Sequence, residues 1–488
     1  MRSLRAWLAA HPWEFWLLTG LGFATRGWRL TTPSFVVWDE RHYTYFIGAF
    51  LNRRWMMDVH PPLGRILLAA VAWMEGYGRD LITQEVGAPW VRVLPAAAGA
   101  LLVPVVWHLV RAMGGGRVAA AVAAGAVTFD LALLVESRYI LPDSMLLLAT
   151  LASISCALAA GRADGTRPRV AWWVAAAVLA GAAVSIKWTG LAATGLLLLL
   201  VGWAAWRRRM PVRRAAIGTT LLVGIVGAVY LASFAGQIAV LIESGREDRW
   251  MSPAFTTTLE GSLNHVHGSR MPFLSVVAEM HRVMVVMNDN IGSHGGGPSS
   301  SPWYTWPTSE HGITVMQQGG EEEPVQQWIV MTGNPVVWWG ALVGMLLALG
   351  GLALALRPDR ASEPWAQRLR ERREAMLFLM VAWAINFVPF ALITRPMYLY
   401  HYFVALLFSI ILAAIGVEAL LGWTERRGRL AWTGFLVASA VAFAYFAPMA
   451  YGWNVSRDAA RHRRAILGGG VPFSESSTPS LRPPPQIP

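Results

Sequence analysis

Chemically reactive side chains are concentrated shortly after the first apolar run of the chain. The stretch WDERHYTYF places Asp39 and Glu40 side by side. His42 and Tyr43 follow Asp39 at helical spacing, so the three residues share one face if this stretch forms a short helix. A carboxylate in such a set is available as a general base, the group that takes a proton from an attacking hydroxyl.

The next stretch, MMDVHPPLGR, adds a carboxylate and an imidazole to the same loop. Asp58 and His60 come directly before Pro61 and Pro62, two prolines that can start a following helix. An acidic pair at the edge of a membrane can simply cap a helix or be solvated. The added imidazole and the rigid Pro-Pro pair favour a functional site over that simpler interpretation.

Three later stretches carry isolated charges at the ends of apolar runs. A charge inside lipid costs at least about 2.5–3.5 kcal/mol, so each of these side chains must reach the surface, form an ion pair or line a polar cavity. Lysine and arginine in such a cavity suit a phosphate group, whereas the neighbouring carboxylates can instead be their ion-pair partners. The residues concerned are Glu136, Arg138 and Asp143 in ESRYILPDS, Lys187 in SIKWTG, and Arg395 and His401 in TRPMYLYHYF.

The composition places these residues in a membrane protein. Of 488 residues, 55% are apolar and 14% are charged, against about 25% charged in a soluble chain. The 25 tryptophans suit membrane interfaces, and apolar residues recur in blocks of about 20, the length that crosses a hydrocarbon core. We therefore predict an all-α polytopic membrane protein with about eleven spans. They lie near residues 13–30, 89–111, 116–135, 139–160, 170–186, 188–206, 215–242, 336–356, 375–393, 401–422 and 430–449.

The net charge of +12 reflects the orientation of the chain in the membrane more than the binding of an anionic ligand. Arginines cluster in alternate loops, and the positive-inside rule places such loops in the cytoplasm together with the N-terminus. The basic excess therefore requires no nucleic acid. The odd span count places the C-terminal tail outside, although its arginines fit that side poorly. The lone Cys156 excludes a disulfide framework and a cysteine-based metal site.

The same topology leaves two long segments outside the cytoplasm. One is residues 31–88, and the other is residues 243–335, which is rich in glycine, serine and tryptophan and contains a Gly/Ser run at 292–301. The reactive side chains then converge on the outer face. The predicted units are an N-terminal catalytic membrane module at 1–242, the long outer segment at 243–335, the C-terminal membrane helices at 336–449 and a partly disordered tail at 450–488.

Taken in order, these stretches resemble the protein O-mannosyltransferase family, whose members have the type C glycosyltransferase fold with outward-facing catalytic loops. WDERHY, MDVHPPLGR and ESRYILPDS each have a counterpart there, as do SIKWTG, GNPVVWW, MYLYHYF and PMAYG. The DVHPPLG block is the most specific, and Arg65 stands where the family usually has lysine. The long outer segment is too short for the β-trefoil module of eukaryotic members, so the resemblance implies the bacterial form.

The resemblance implies a reaction and a role for each candidate residue. Mannose would pass from polyprenyl-phosphate-mannose to a serine or threonine hydroxyl of a secreted protein, with inversion at the anomeric carbon. Asp39 would be the base and Glu40 would orient the acceptor or the loop, and both are assigned to the catalytic set. Arg138 would hold the departing phosphate, with help from Lys187 and Arg395. The supporting residues of the active-site loops would be Tyr43, Asp58, His60, Pro61, Pro62, Asp143 and His401.

The remaining expectations concern cofactors, partners and competing functions. We expect no cofactor and no metal, since a lipid monophosphate can leave as a dianion stabilised by fixed cations. The expected partners are the polyprenyl-phosphate sugar lipid, secreted Ser/Thr-containing proteins and the secretion translocon, at the outer face of the plasma (inner) membrane. The alternative is a transferase of the same fold that modifies a glycolipid or cell-wall glycan, as aminoarabinose and arabinose transferases do. A transporter would place charges near mid-span and show inverted repeats, which this sequence lacks.

Overall fold

The computed structural model describes residues 11–78, 89–293, 297, 299–320, 322–422 and 426–467. As predicted, the protein is built from helices, to which one small sheet is added. The helices are α1 (Trp13–Gly27), α2 (Glu40–Leu51), α3 (Leu63–Met74), α4 (Val93–Ala112), α5 (Arg117–Phe129), α6 (Leu131–Arg138), α7 (Asp143–Arg162), α8 (Thr166–Ile186), α9 (Leu191–Trp206), α10 (Val212–Val240), α11 (Pro253–Thr256), α12 (Phe273–Ser293), α13 (Pro335–Ala355), α14 (Pro364–Ile385), α15 (Phe403–Leu421), α16 (Arg426–Tyr451) and α17 (Arg457–Ile466). The strands are β1 (Ile313–Gln318), β2 (Val325–Met331) and β3 (Asn454–Ser456).

The described residues contain fewer clear membrane spans than the eleven predicted. Nine helices are long and apolar enough to cross a membrane, and α5 with α6, a pair bent by 56°, makes a tenth if the two form one span. The predicted first span is α1, which has 15 residues where about 20 are needed. α1 nevertheless runs parallel to α5, because Glu14 pairs with Arg117 at one end and Arg26 bonds the carbonyl of Thr128 at the other.

The span predicted at 116–135 is broken at Asp130. A backbone break within a membrane needs hydrogen-bond partners from the protein, since lipid supplies none. The Asp130 carboxylate accepts from the N–H of Leu133 at 2.8 Å, from the N–H of Asn334 at 3.1 Å and from the indole N–H of Trp338 at 2.7 Å. The guanidinium of Arg26 donates to the carbonyls at the end of α5. These partners turn α6 so that its end lies beside the site described below.

The long segment at 243–335 contains regular structure that the sequence analysis did not predict. It holds the helix α12 and an antiparallel hairpin of β1 and β2, and β3 from the C-terminal tail pairs with β2 through Gln326 and Val455. The first loop meets the same segment where the N–H of Trp55 donates to the carbonyl of Glu243 at 2.7 Å. Residues 31–78, the described residues of 243–335, and residues 454–466 therefore lie on one face, which we call the loop face.

The position of β3 settles which face carries the start of the C-terminal tail. It lies on the loop face, because it pairs with β2. Residues 468–488, which include the disordered part predicted for the tail, lie outside the described residues, as does part of the Gly/Ser run at 292–301.

Candidate active site

A cavity of about 670 Å³ opens at the loop face between the ends of several membrane helices. It collects side chains that lie far apart in the sequence, and the helix ends position each of them. Five of the predicted site residues line it: His60, Asp143, Lys187, Arg395 and His401.

Lys187 and Asp143 form an ion pair in the cavity wall. Pro142 caps the start of α7 at Asp143, and Lys187 is the extended residue that ends α8, so the packing of α7 against α8 brings the two together. Lys187 Nζ lies 2.5 Å from Asp143 Oδ2 and 4.9 Å from the centre of the Tyr400 ring. A carboxylate and an aromatic face therefore hold the ammonium group in place.

Arg395 supplies a cation that forms no ion pair with any side chain that the structure describes. It is partly exposed, lines the same cavity and has no hydrogen bond or ion pair recorded with any described residue. Across the cavity, His401 stacks on Tyr400 at 4.5 Å between ring centres, and its Nδ1 lies 2.9 Å from the carbonyl oxygen of Tyr398. Arg395 thus gives this part of the cavity a cation suited to a phosphate.

Asp39 lies at the edge of this cluster as the residue before α2. Its carboxylate is partly exposed and has no recorded hydrogen-bond partner among the described residues. Burial raises the pKa of Asp39, while the charges of His42 and Lys187 oppose that change. An ionised carboxylate with a raised pKa and open lone pairs is a competent base.

Tyr43 follows Asp39 on the inner side of α2 and belongs to the same electrostatic cluster. Burial raises the pKa of Tyr43 well above its ordinary value, and the nearby carboxylates of Asp58, Asp143 and Asp39 add to that rise. Tyr43 is therefore a neutral hydroxyl beside three carboxyl groups, where it can donate a hydrogen bond. Its predicted supporting role stays a prediction.

The contacts of Glu40 suit the orientation of the loop, one of the two roles expected for it, and its place in the catalytic set stays a prediction. It is 1% exposed, and its two oxygens accept from Arg92 at 2.7 and 2.8 Å. They also accept from the N–H groups of Val37 and Ile140. Because every contact is internal, Glu40 ties the loop before α2 to α4 and to the turn after α6, and it does not line the cavity.

Arg138 does not line the cavity, and its predicted phosphate role stays a prediction. Its Nη1 donates to the carbonyls of Arg26 at 3.0 Å and Trp28 at 2.6 Å, and its Nη2 donates to Arg29. The guanidinium lies 4.5 Å from the centre of the Tyr451 ring and is 1% exposed. Arg138 therefore satisfies the free carbonyls at the end of α1.

The DVHPPLGR stretch forms a compact support for one wall of the cavity. Arg65 forms a salt bridge with Asp58 and donates to the carbonyl of His60 at 3.0 Å. Burial alone would raise the pKa of Asp58, but the charge of Arg65 holds this pKa below its ordinary value. Burial lowers the pKa of His60 to about 3, so its imidazole is neutral at physiological pH. Buried Pro61 and Pro62 precede α3, as predicted.

Several cavity residues were not predicted, and two of them belong to the long segment at 243–335. Asn288 and Asp289 near the end of α12 face the cavity, together with Trp188, Asn386 and Thr394. Apolar residues at 276, 277, 280, 283 and 284 pack with the first loop, and this spacing is helical. The periodicity of α12 was thus the signal that could have placed its polar end near the site. Among the described residues, no three His, Cys, Asp or Glu side chains converge as metal ligands.

Comparison with known sequences matches nearly all of this architecture to one family. Residues 16–242 match the family described as dolichyl-phosphate-mannose-protein mannosyltransferase, and residues 273–467 match the C-terminal four-span region of protein-O-mannosyltransferase. Protein O-mannosyltransferase 1 of Drosophila melanogaster is 34% identical over 282 residues, 52% of this chain and 32% of that protein. Its counterpart in Mus musculus is 32% identical over 270 residues, 51% of this chain and 36% of that protein. The chain thus spans about a third of the length of these relatives.

Solved structures show the same fold. The protein O-mannosyltransferase Pmt1-Pmt2 complex of S. cerevisiae bound to the sugar donor superposes with a TM-score of 0.83 over 93% of this chain and 92% of that chain, at 16% identity. The archaeal oligosaccharyltransferase AglB from Archaeoglobus fulgidus superposes with a TM-score of 0.52 over 93% of this chain and 59% of that chain, at 12% identity. From the matches over residues 16–242 and 273–467, the chain belongs to the protein O-mannosyltransferase family.

Proposed function

We propose that this protein transfers mannose from polyprenyl-phosphate-mannose to serine or threonine hydroxyls of secreted proteins, with inversion at the anomeric carbon. The observation that carries the proposal is the cavity that combines Lys187 and Arg395 with the carboxylate of Asp39 at its edge. Cations suit the phosphate of the donor, and an accessible carboxylate suits the hydroxyl of the acceptor.

The proposed reaction is a single displacement in which three residues act directly. Asp39 accepts the proton of the acceptor hydroxyl as its oxygen bonds to the anomeric carbon. The bond from that carbon to the phosphate oxygen breaks at the same time, and its electron pair leaves with the phosphate. Arg395 and Lys187 stabilise the departing dianion, since fixed cations in a water-poor cavity interact more strongly than in bulk water. Asp143 positions Lys187 through their ion pair.

The cellular setting follows from the same proposal. The multi-pass helical architecture makes this a membrane protein, and we infer that the loop face is the outer face of the plasma membrane of a bacterium. A polyprenyl carrier lipid would then present mannose there, and acceptors would reach the cavity as they leave the secretion translocon. Because the S. cerevisiae neighbour is a complex of two such proteins, a second family member is a further proposed partner.

The test is direct transfer by the purified protein. Wild type is incubated with polyprenyl-phosphate-mannose and a Ser/Thr-rich peptide, and the peptide is analysed by mass spectrometry. We expect one added hexose per modified hydroxyl, and we expect none with D39N. If wild type transfers mannose to a glycolipid or cell-wall glycan but never to peptide, the protein-acceptor part of the proposal is wrong.

A further inference from the structure

The helix that follows β3 is strongly basic and lies on the loop face. α17 has the sequence RDAARHRRAI, with four arginines and one aspartate. Its buried side is small: Ala460 is fully buried in a cluster with Trp328, Met449 and Val455. The arginines are therefore carried on a helix that is held firmly against the sheet and the end of α16.

α17 contacts α16 near the end of that candidate membrane span. Nε of Arg463 donates to the carbonyl of Tyr445 at 2.9 Å, and the guanidinium lies 4.6 Å from the centre of the Tyr445 ring. Tyr445 is six residues before the end of α16, which is about 9 Å along the helix. Val437, Val441 and Tyr445 are exposed at spacings of four, as on a lipid-facing stripe.

The arginines of α17 differ in whether their guanidinium groups already have partners within the described structure. Arg457 pairs with Glu322 at 2.7 Å, and Arg464 lies 4.1 Å from the centre of the Trp328 ring. Arg463 donates from Nε and Nη1 to carbonyl oxygens, and no partner within the described residues is recorded for its Nη2. The exposed Arg461 has no recorded hydrogen bond or ion pair with a described residue. Two guanidinium groups can therefore donate to an external anion.

The arginines of α17 also lie on the loop face, which we infer to be the outer face, where the positive-inside rule disfavours arginine. Arginines close to the end of a span favour the cytoplasmic face, whereas α17 shares the loop face with the long segment. A cationic helix above a lipid-facing stripe would have lipid phosphates as its nearest anions. Exposed Ile466, one turn beyond Arg463, adds apolar surface beside them.

We propose that α17 binds a lipid-linked phosphate at the membrane surface of the loop face. Arg463 donates to the phosphate from Nη2, Arg461 adds positive charge beside it, and Tyr445 and Ile466 contact the lipid chain. The phosphate belongs either to an anionic phospholipid or to a polyprenyl monophosphate. This site is separate from the cavity that contains Lys187, and the proposal does not depend on the transfer reaction.

The test measures lipid binding by the full chain in an uncharged detergent. Fluorescent phosphatidylglycerol and phosphatidylcholine are titrated against wild type, R461Q, the double variant R461Q/R463Q and R270Q. Arg270 is an exposed arginine on the same face in the segment before α12, so R270Q makes the same charge change away from α16. We expect wild type to prefer phosphatidylglycerol, and R461Q to bind it about five-fold more weakly with phosphatidylcholine unchanged.

The control and the competition arms complete the test. R270Q should bind phosphatidylglycerol as wild type does, and the double variant should lose more affinity than R461Q. In the competition arm, unlabelled polyprenyl monophosphate and unlabelled phosphatidylglycerol each displace the fluorescent phosphatidylglycerol. If polyprenyl monophosphate acts at the lower concentration, the carrier lipid is the ligand. If phosphatidylglycerol acts at the lower concentration, the ligand is a phospholipid. Equal binding of both phospholipids by wild type, or equal weakening in R270Q and R461Q, would overturn the proposal. R461Q leaves the packing of α17 intact, so it remains decisive if the double variant fails to fold.

Discussion

Lys187 Nζ lies 2.5 Å from Asp143 Oδ2, in an ion pair that joins the end of α8 to the start of α7. Arg395 lines the same cavity without a recorded partner among the described residues. The two cations therefore differ in kind. Lys187 is part of the wall and is paired with a carboxylate, whereas Arg395 faces the cavity without an ion pair to any described residue.

Replacing Lys187 with glutamine should lower both stability and transfer. The substitution leaves Asp143 nearly buried without its cation, and breaking a buried pair costs about 3–5 kcal/mol. In K187Q/D143N the stranded charge is removed as well, so thermal stability should recover while transfer stays low. Unfolding temperature and initial rate are measured on the same preparations. A K187Q variant with wild-type kcat and donor KM would exclude the phosphate role.

Replacing Arg395 with glutamine should affect the donor and leave stability unchanged. No ion pair within the described structure is lost, so the unfolding temperature should stay within the range seen for surface substitutions. The donor KM should rise about ten-fold or more, because one charge-assisted contact to phosphate is removed. R270Q is the matched control. An equal rise in KM in R270Q would show that general surface charge, and not the cavity, is responsible.

Replacing Asp39 with asparagine should reduce transfer by about 10²–10⁴-fold, the usual contribution of a positioned base. Donor binding should persist, because the phosphate contacts lie elsewhere in the cavity. The exposed Asp458 gives a matched control, and D458N should transfer at the wild-type rate. Wild-type turnover by D39N would contradict the assignment of the base.

The pH dependence of transfer should follow Asp39. The base works when ionised, so kcat falls as pH decreases through its pKa. Because burial raises this pKa, the fall should begin at a higher pH than an ordinary aspartate would show. The measurement is a pH–rate profile at saturating donor. An acidic limb at the ordinary aspartate pKa would show that Asp39 is not buried in the working enzyme.

The stability of the protein should also fall below neutral pH because of His60. Its pKa is about 3 in the folded protein, against an ordinary value of 6.5. Below pH 6.5 the unfolded chain takes up a proton that the folded protein does not, so the free energy of unfolding decreases by up to about 1.4 kcal/mol per pH unit. The unfolding temperature of H60Q should fall less than that of wild type between pH 7 and pH 5. Parallel curves would exclude a neutral, buried His60.

Replacing Arg138 with glutamine should destabilise the protein without raising the donor KM of the folded fraction. The substitution leaves the carbonyls of Arg26, Trp28 and Arg29 without their donor, and unsatisfied buried carbonyls cost about 1–3 kcal/mol each. Unfolding temperature and donor KM are measured on the same preparations. R395Q is measured beside it, because that variant should raise the donor KM and leave the unfolding temperature unchanged. A raised KM with an unchanged unfolding temperature would support the phosphate role.

The sequence alone indicated the membrane class, the family and five of the residues that line the cavity. Apolar blocks and arginine-rich loops indicate each span from its own stretch of sequence. This is so because every segment that crosses lipid must be apolar over about 20 residues. The stretches around His60, Asp143, Lys187, Arg395 and His401 were recognisable one by one. Their residue types indicated their chemistry, because an isolated charge at the end of an apolar run is costly unless it is paired, hydrated or functional.

Only the tertiary structure decided which charges are available to a ligand. Arg138 and Arg395 look alike in sequence, yet Arg138 is used by the carbonyls at the end of α1 and Arg395 opens into the cavity. Glu40 and Asp39 are neighbours, yet Arg92 engages the carboxylate of Glu40, whereas the carboxylate of Asp39 has no hydrogen bond with any described residue. The physical reason is that an ion pair depends on the distance between two atoms, and residues separated by many positions are brought to that distance only by the packing of helices.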